Sequence, residues 1–161
     1  MNSNELKTRD QIDKKYKWNI EAMISDDSAV DSDLDRIAER AEEYNRTYSG
    51  KLAESAAGLL KAHKDRDAIW MDLERIFVYA RMRRDENNAD SKYQAMTSRC
   101  GAVIAKVSAA MAFFTPELLA SPEETILGYI DQEPGLKEYE FAIRDTLRQK
   151  AHVLSEAEEN I

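Results

Sequence analysis

Hydrophobic residues recur at steps of three and four along most of this chain, which is the period of an amphipathic α-helix. The first row predicts a helix that begins at Asp31 or Asp33 and ends at the Ser49-Gly50 break. A second row predicts a short helix before the polar stretch 64–67, and a third predicts a helix that ends near Asp85. The rows are Leu34, Ile37, Ala41, Tyr44 and Tyr48, then Leu52, Ala56, Leu59 and His63, then Ile69, Leu73, Ile76 and Ala80 with Trp70 and Phe77 beside them.

The clearest row follows the polar run 85–90 and extends to Phe114. Small residues flank it, so that a second helix can approach closely. This arrangement favours long antiparallel helix pairing. The row is Tyr93, Met96, Cys100, Val103, Val107, Ala110 and Phe114, and the small flanking residues are Gly101, Ala102, Ala105 and Ala109.

Two proline-marked helix starts follow this row. Thr115-Pro116 and Ser121-Pro122 each place a hydroxyl at the N-cap and a proline at the first helical position. The first predicts a single turn through Leu118-Leu119, the second predicts a helix that ends at Pro134-Gly135, and a last helix is predicted over 136–151. The apolar members of these two helices are Ile126, Leu127, Tyr129 and Ile130, then Tyr139, Phe141, Ile143 and Leu147.

The two ends of the chain differ from this pattern. Residues 1–15 are polar, and we expect them to be loosely ordered. Tyr16 and Trp18 alternate, which is typical of an extended segment laid against another surface. Ser155 and Glu158 form a capping box, so we expect a helix that starts over 155–161 and is cut off before it is complete. The whole pattern predicts one all-α domain over 1–161, an antiparallel, bundle-like arrangement of six to seven helices.

Composition excludes several classes of function. The net charge of −8 has the wrong sign for binding a phosphate backbone or an anionic membrane. A single cysteine, Cys100, allows no intrachain disulfide and suggests a reducing compartment. The first residues lack the apolar core of a secretory signal, and the apolar stretch from Cys100 to Phe114 is interrupted by Lys106 and is too short to span a bilayer. We therefore expect a soluble, cytoplasmic protein.

The residues that usually carry catalysis are scattered. His63 and His152 stand far apart and neither lies in His-Glu-x-x-His, the helical zinc motif. Cys100 falls on an apolar row and is predicted to be a core residue, while His152 is expected to make a structural hydrogen bond, with a ligand contact as the alternative. The glycines form no phosphate-binding loop. The sequence predicts no catalytic and no metal-binding residue, and leaves substrate-binding residues unknown. Glu117, Glu123 and Glu124 are interpreted as helix-start charges, and Trp18, Trp70, Tyr44, Tyr48, Tyr79 and Tyr93 mainly as core or helix-seam residues.

Several short segments carry a family resemblance when they are taken together and in order over nearly the whole chain. The segments are Tyr16-Lys17-Trp18, Tyr48-Ser49-Gly50-Lys51-Leu52, Val78-Tyr79-Ala80-Arg81-Met82, Asp85-Glu86-Asn87 with Tyr93-Gln94, Phe114-Thr115-Pro116-Glu117-Leu118-Leu119, Leu136-Lys137-Glu138-Tyr139, and His152-Val153-Leu154-Ser155 with Glu158-Glu159. They resemble the N-terminal region of oligoendopeptidase F, a family of zinc-dependent, thimet-oligopeptidase-like metallopeptidases. This resemblance implies a non-catalytic helical N-terminal domain, since the family's His-Glu-x-x-His motif and further glutamate ligand lie well downstream.

The resemblance further implies that this region forms one wall of a deep cleft that admits short, unfolded peptides. Zinc would belong to the full-length enzyme and not to this chain, which should be inactive alone. The expected partners are a catalytic domain on the same polypeptide and short peptide substrates. We also expect an apolar patch near Leu154 and Ile161 that two copies could cover by dimerising. The alternative from another class is a stand-alone helical adaptor that binds partner helices in a groove.

Overall fold

The computed structural model describes residue 7 and residues 9–152, and within that part the chain is helical and contains no strand. The all-α prediction is therefore confirmed. Short 3₁₀ turns occupy Arg9–Gln11, Lys14–Tyr16, Ile20–Ala22, Pro134–Tyr139 and Gln149–His152. The α-helices are α1 (Val30–Tyr48), α2 (Ala56–Glu86), α3 (Ser91–Met111), α4 (Phe114–Ala120), α5 (Glu123–Gln132) and α6 (Glu140–Arg148).

The first three helices form an up-down-up bundle. Near the start of α1, Asp35 accepts a hydrogen bond of 3.0 Å from Arg99 of α3. Near the end of both helices, the Asn45 side-chain amide donates to the Ala110 carbonyl at 2.7 Å. These two contacts show that α1 and α3 run parallel, with α2 antiparallel to both. Among the shorter elements, α4 and the 134–139 turn contact the N-terminal half of α2 at His63, and α5 also packs on α2. Helix α6 packs on α4, α5 and the 134–139 turn.

The predicted break at 64–67 is wrong, because α2 is one continuous helix of 31 residues. The stretch 59–86 contains neither glycine nor proline, and charged residues such as lysine and arginine are good helix formers. Lys61 and Asp65, one turn apart, form a 2.5 Å ion pair that runs into the supposed connector. The helix begins at Ala56 after its N-cap Ser55, whose hydroxyl accepts a hydrogen bond from the Gly58 amide at 3.1 Å. The polar residues here lie within a continuing helix and do not mark its end, and Asp65, Arg66 and Asp67 contact neighbouring elements.

The expected count of six to seven helices is also too high. Ala112 and Phe113 keep right-handed helical dihedrals between α3 and α4, so the described residues form five continuous helical rods. Thr115 therefore lies inside α4 and is not its N-cap. Ser121 is not the cap of α5 either, since its hydroxyl donates to the Glu117 carbonyl at 2.9 Å and closes the end of α4.

The last predicted helix begins later than expected. Pro134-Gly135 ends α5 as predicted, but residues 134–139 form a 3₁₀ turn, and α6 starts at Glu140. Ile143 and Leu147, one turn apart, are the buried residues of α6. Phe141 lies on the opposite side and is 79% exposed, so its assignment to the apolar face is wrong.

The core otherwise consists of the predicted rows. Leu34, Leu73 and Cys100 have no exposed surface, and the rows of α1 and α3 are buried almost throughout. The capping box at 155–161, the patch near Leu154 and Ile161, and the side chain of His152 lie outside the described residues.

The α3–α4 rod is unusually apolar. By length and composition alone, Ser91–Ala120 could cross a membrane, with a mean hydropathy of 1.5 over its most apolar window. The expectation that this stretch is too short is thus wrong, because the helix continues on both sides of Cys100–Phe114. Only 28% of that window is buried. One side of α3 packs on α1 and α2, while its alanine-rich side, including Ala102, Ala105 and Ala109, is exposed.

Candidate functional site

A cluster of perturbed ionisable groups lies where α2 meets α4 and the 134–139 turn. At its centre, His63 is 2% exposed, as its predicted place on an apolar row requires. Its ring stacks on Tyr139 with a centroid distance of 4.4 Å and meets the edge of Phe114 at 4.9 Å. Neither ring nitrogen has a hydrogen-bond partner among the described residues. Burial, together with a smaller contribution from the neighbouring Arg66, lowers the pKa of His63 to about 4. The imidazole is therefore neutral at pH 7.

The charged side chains next to His63 already interact with other residues. Tyr139 donates to the Asp67 carboxylate at 2.9 Å, and the Arg66 guanidinium lies 4.3 Å from the centre of the Phe114 ring. The cluster joins α2 to α4 and to the 134–139 turn, and its chemistry is that of a structural junction.

A cleft of about 330 Å³ lies between α1 and α2 beside this cluster. Tyr48 and Lys61 both donate to the Asp65 carboxylate at 2.5 Å. Burial works against ionisation of Asp65, but these two hydrogen bonds hold its pKa below the usual value. Tyr44 is buried with its hydroxyl unpaired among the described residues, and burial raises its pKa. Acid and base are thus paired with each other, which leaves no general acid–base couple available to a substrate.

The described residues do not fit a zinc ion. They contain no group of three or more histidine, cysteine, aspartate or glutamate side chains placed to hold a metal. The His63 ring is enclosed by aromatic rings. Cys100 is buried on α3, as predicted, and burial raises the pKa of its thiol. Zinc is held by thiolate, imidazole or carboxylate ligands that converge on one point, and the described part of the chain offers no such group.

A second ionic cluster ties the segment before α1 to the far end of α2. Asp27 accepts hydrogen bonds from Lys92 at 2.8 Å and from Tyr79 at 3.3 Å, and these bonds hold its pKa below the usual value. Arg83 donates to Glu21 at 2.9 Å and to Glu86 at 3.2 Å. Arg83 lies in the last turn of α2, where a cation complements the helix dipole, and it also forms these specific ion pairs.

An aromatic strip, defined as residues 14–18, lies on the surface beside this second cluster. Lys17 is extended, with φ −109° and ψ 144°, so that Tyr16 and Trp18 can project to the same side. Tyr16 is 74% exposed and Trp18 is 78% exposed. The alternation predicted a segment laid against another surface, but both rings are largely exposed, and the Lys15 ammonium lies 4.9 Å from the centre of the Tyr16 ring. A surface cavity of about 410 Å³ adjoins Trp18.

Glu117 has a role that its position in the first turn of α4 does not reveal. Its carboxylate accepts hydrogen bonds from the amides of Gly50 at 2.8 Å and of Leu52 at 2.6 Å. Gly50 has φ +78°, a conformation that favours glycine. The side chain therefore holds the turn between α1 and α2 against α4.

Replacing this carboxylate tests the role directly. Glu117→Ala should lower the free energy of unfolding by about 2 kcal/mol, because two charge-assisted hydrogen bonds to backbone amides are lost. Urea unfolding followed by circular dichroism measures the change. Glu123→Ala is the matched control, since Glu123 is an exposed first-turn glutamate of α5, and it should cost less than about 1 kcal/mol. Equal losses in both variants would contradict the proposed bridging role.

Comparison with known proteins extends the resemblance seen in the sequence. The family model described as Oligopeptidase F matches residues 117–161. The chain is 31% identical to oligopeptidase PepF of Bacillus subtilis over 98% of its own length and 23% of that protein. It is 29% identical to the plasmid oligoendopeptidase F of Lactococcus lactis subsp. cremoris, over 96% of this chain and 26% of that protein.

Solved structures agree with these relatives. The crystal structure of oligoendopeptidase-F from Enterococcus faecium matches with a TM-score of 0.71 and 29% identity, over 83% of this chain and 25% of that one. A Chlamydophila abortus structure matches with a TM-score of 0.81 over 97% of this chain and 26% of that one, and at 18% identity it shows the fold alone. The chain thus spans about a quarter of the length of the curated relatives it matches.

Proposed function

We propose that this chain, which is related over nearly its whole length to the N-terminal region of oligoendopeptidase F, is the non-catalytic helical part of a zinc-dependent enzyme that hydrolyses short peptides. In this proposal the bundle forms one wall of the substrate cleft. The proposal depends mainly on one comparison: the match covers 98% of this chain but only 23% of a named oligopeptidase. In this proposal, a region of that size contributes part of the cleft surface, and the larger part of the polypeptide lies outside it.

The arrangement of the described residues supports a role in shaping the cleft. The residues do not fit zinc, so no chemical step is assigned to them. Their ionisable groups are paired inside the fold, as at Asp65 and Asp67. The long helices α2 and α3 pack side by side into a rigid surface that can limit access by size. In the proposed enzyme, zinc is held by the larger part of the polypeptide and supplies the hydrolytic chemistry there.

A chimera tests the proposal. This chain would replace the corresponding region of Bacillus subtilis oligopeptidase PepF, and the hydrolysis of a short fluorogenic peptide and of a folded protein would be compared. We expect the chimera to cleave the short peptide, to lose that activity with a zinc chelator, and to leave the folded protein intact. This chain alone should cleave neither. Hydrolysis by this chain alone would contradict a non-catalytic role. Cleavage of both substrates by the chimera would contradict the proposal that the bundle forms a wall that excludes folded proteins.

The second candidate function is a helical adaptor that stands alone. The largely exposed apolar side of α3 favours it, because such a face can accept a partner helix. Reading the gene beyond codon 161 separates the two candidates. An open frame that encodes His-Glu-x-x-His supports the peptidase, whereas a stop codon supports the adaptor. A cytoplasmic location stays a prediction under either function.

A further inference from the structure

We infer that the aromatic strip, residues 14–18, is a docking surface for the remaining part of the same polypeptide. The inference rests on the proposed function, since it names the partner surface within the longer peptidase. Tyr16 and Trp18 are the starting observation. Tryptophan and tyrosine are the residues most often found at the energetic centre of protein interfaces. Two such rings, two residues apart and each about three-quarters exposed, are costly to leave in water.

The strip is held firmly although its rings are exposed. On one side, Arg9 forms an ion pair with Glu86 at the end of α2. On the other side, Ile20 is 2% exposed within the core. Glu21, next to Ile20, pairs with Arg83 of α2 at 2.9 Å. A segment fixed at both ends presents its side chains already ordered, which reduces the entropy lost on docking.

The charge of the strip indicates what covers it. The whole chain carries a net charge of −8, but Lys14, Lys15 and Lys17 surround the two rings. Lys14 and Lys17 make no salt bridge within the described part of the chain, and both line the cavity beside Trp18. The complementary surface is an apolar pocket with an acidic rim, since opposite charges steer and align an interface.

The length of the relatives indicates which part of the polypeptide would cover the aromatic strip. About three-quarters of each relative lies outside the region that this chain matches. That part must contact the helical region if the two form one cleft. A docking site formed by a preordered aromatic strip would fix the orientation of the bundle relative to the rest of the enzyme.

Hydroxyl-radical footprinting of side chains tests this inference. The oxidation rates of Tyr16, Trp18 and Phe141 would be measured by mass spectrometry in this chain alone and in the active chimera. Phe141 is the matched control, because it is 79% exposed on α6. We expect Tyr16 and Trp18 to be protected at least about fivefold in the chimera, since residues at an interface core lose most of their accessible surface. Phe141 should oxidise equally in both.

Substitution gives a second measurement. Trp18→Ser should leave the melting temperature of this chain unchanged but lower that of the chimera, whereas Phe141→Ser should change neither. Unchanged oxidation of Trp18 in an active chimera would overturn the inference and leave the proposed function standing. A chimera that folds without activity would contradict the proposed function itself. Protection of Trp18 in this chain alone that increases with concentration would show a second copy on the strip, and would also overturn the inference.

Discussion

Lowering the pH from 7 to 4 should cost the folded chain about 3 kcal/mol through His63 alone. The pKa of this buried imidazole is lowered from its ordinary value of 6.5 to about 4. Between these two values the unfolded chain binds a proton that the folded chain does not bind. The free energy of unfolding therefore rises with pH across this window. The contribution of His63 is fully present above about pH 6.5 and is lost as the pH falls towards 4.

The environment of His63 leaves the protonated ring without compensation. Tyr139 and Phe114 cover its ring, and neither nitrogen has a partner among the described residues. Arg66 opposes a second positive charge, while Asp67, which would favour it, already accepts a hydrogen bond from Tyr139. The junction between α2, α4 and the 134–139 turn should therefore open first in acid.

The variant His63→Leu isolates this effect. Leucine fills a similar volume without a titratable group, so the variant should match the parent within about 1 kcal/mol at pH 7. Below pH 6 it should become the more stable of the two, by an amount that grows as the pH falls. Urea unfolding at several pH values measures the difference, and His152→Leu serves as the control with the other histidine removed. Parallel pH profiles for the parent and His63→Leu would refute the assignment.

The sequence predicts the core of this fold better than its connections. Burial of Leu34, Leu73 and Cys100 follows from helical periodicity, because a residue every three or four positions must face the same side. Periodicity does not locate a helix end. Polar residues at 64–67 suggest a connector, but within α2 three of them, Asp65, Arg66 and Asp67, contact neighbouring elements. The same ambiguity affected Thr115 and Ser121, whose hydroxyls suit caps but lie within or at the end of α4.

Features that depend on distant partners could not be predicted from one sequence. Glu117 bonds to amides 65 and 67 positions away, and His63 stacks on Tyr139, which belongs to a different element. Such pairs require the tertiary arrangement. The sequence predicts part of the aromatic strip, since the alternation of Tyr16 and Trp18 indicates an extended segment. Only the structure shows that the two rings are 74% and 78% exposed, and this exposure is the basis for placing a partner there.

Leu73→Ala should lower the free energy of unfolding by about 3 kcal/mol, because it removes a fully buried side chain at the centre of the longest helix and leaves a cavity. For a chain of this length the melting temperature should fall by roughly 6 to 12 °C. Leu73 lies on the face of α2 that packs between α1 and α3, so the surrounding helices cannot close the space without shifting together.

Met71 is the matched control for this change, since it lies on the same helix two residues away and is 70% exposed. Met71→Ala should change stability by less than about 0.5 kcal/mol, as expected for a surface position. Differential scanning calorimetry of both variants measures the contrast. If α2 is the central rod of a cleft wall, Leu73→Ala in the chimera should also weaken discrimination between short peptides and folded protein, while Met71→Ala should preserve it. Equal stability of the two variants would mean that α2 is not packed as described, and a rigid wall could not then be built on it.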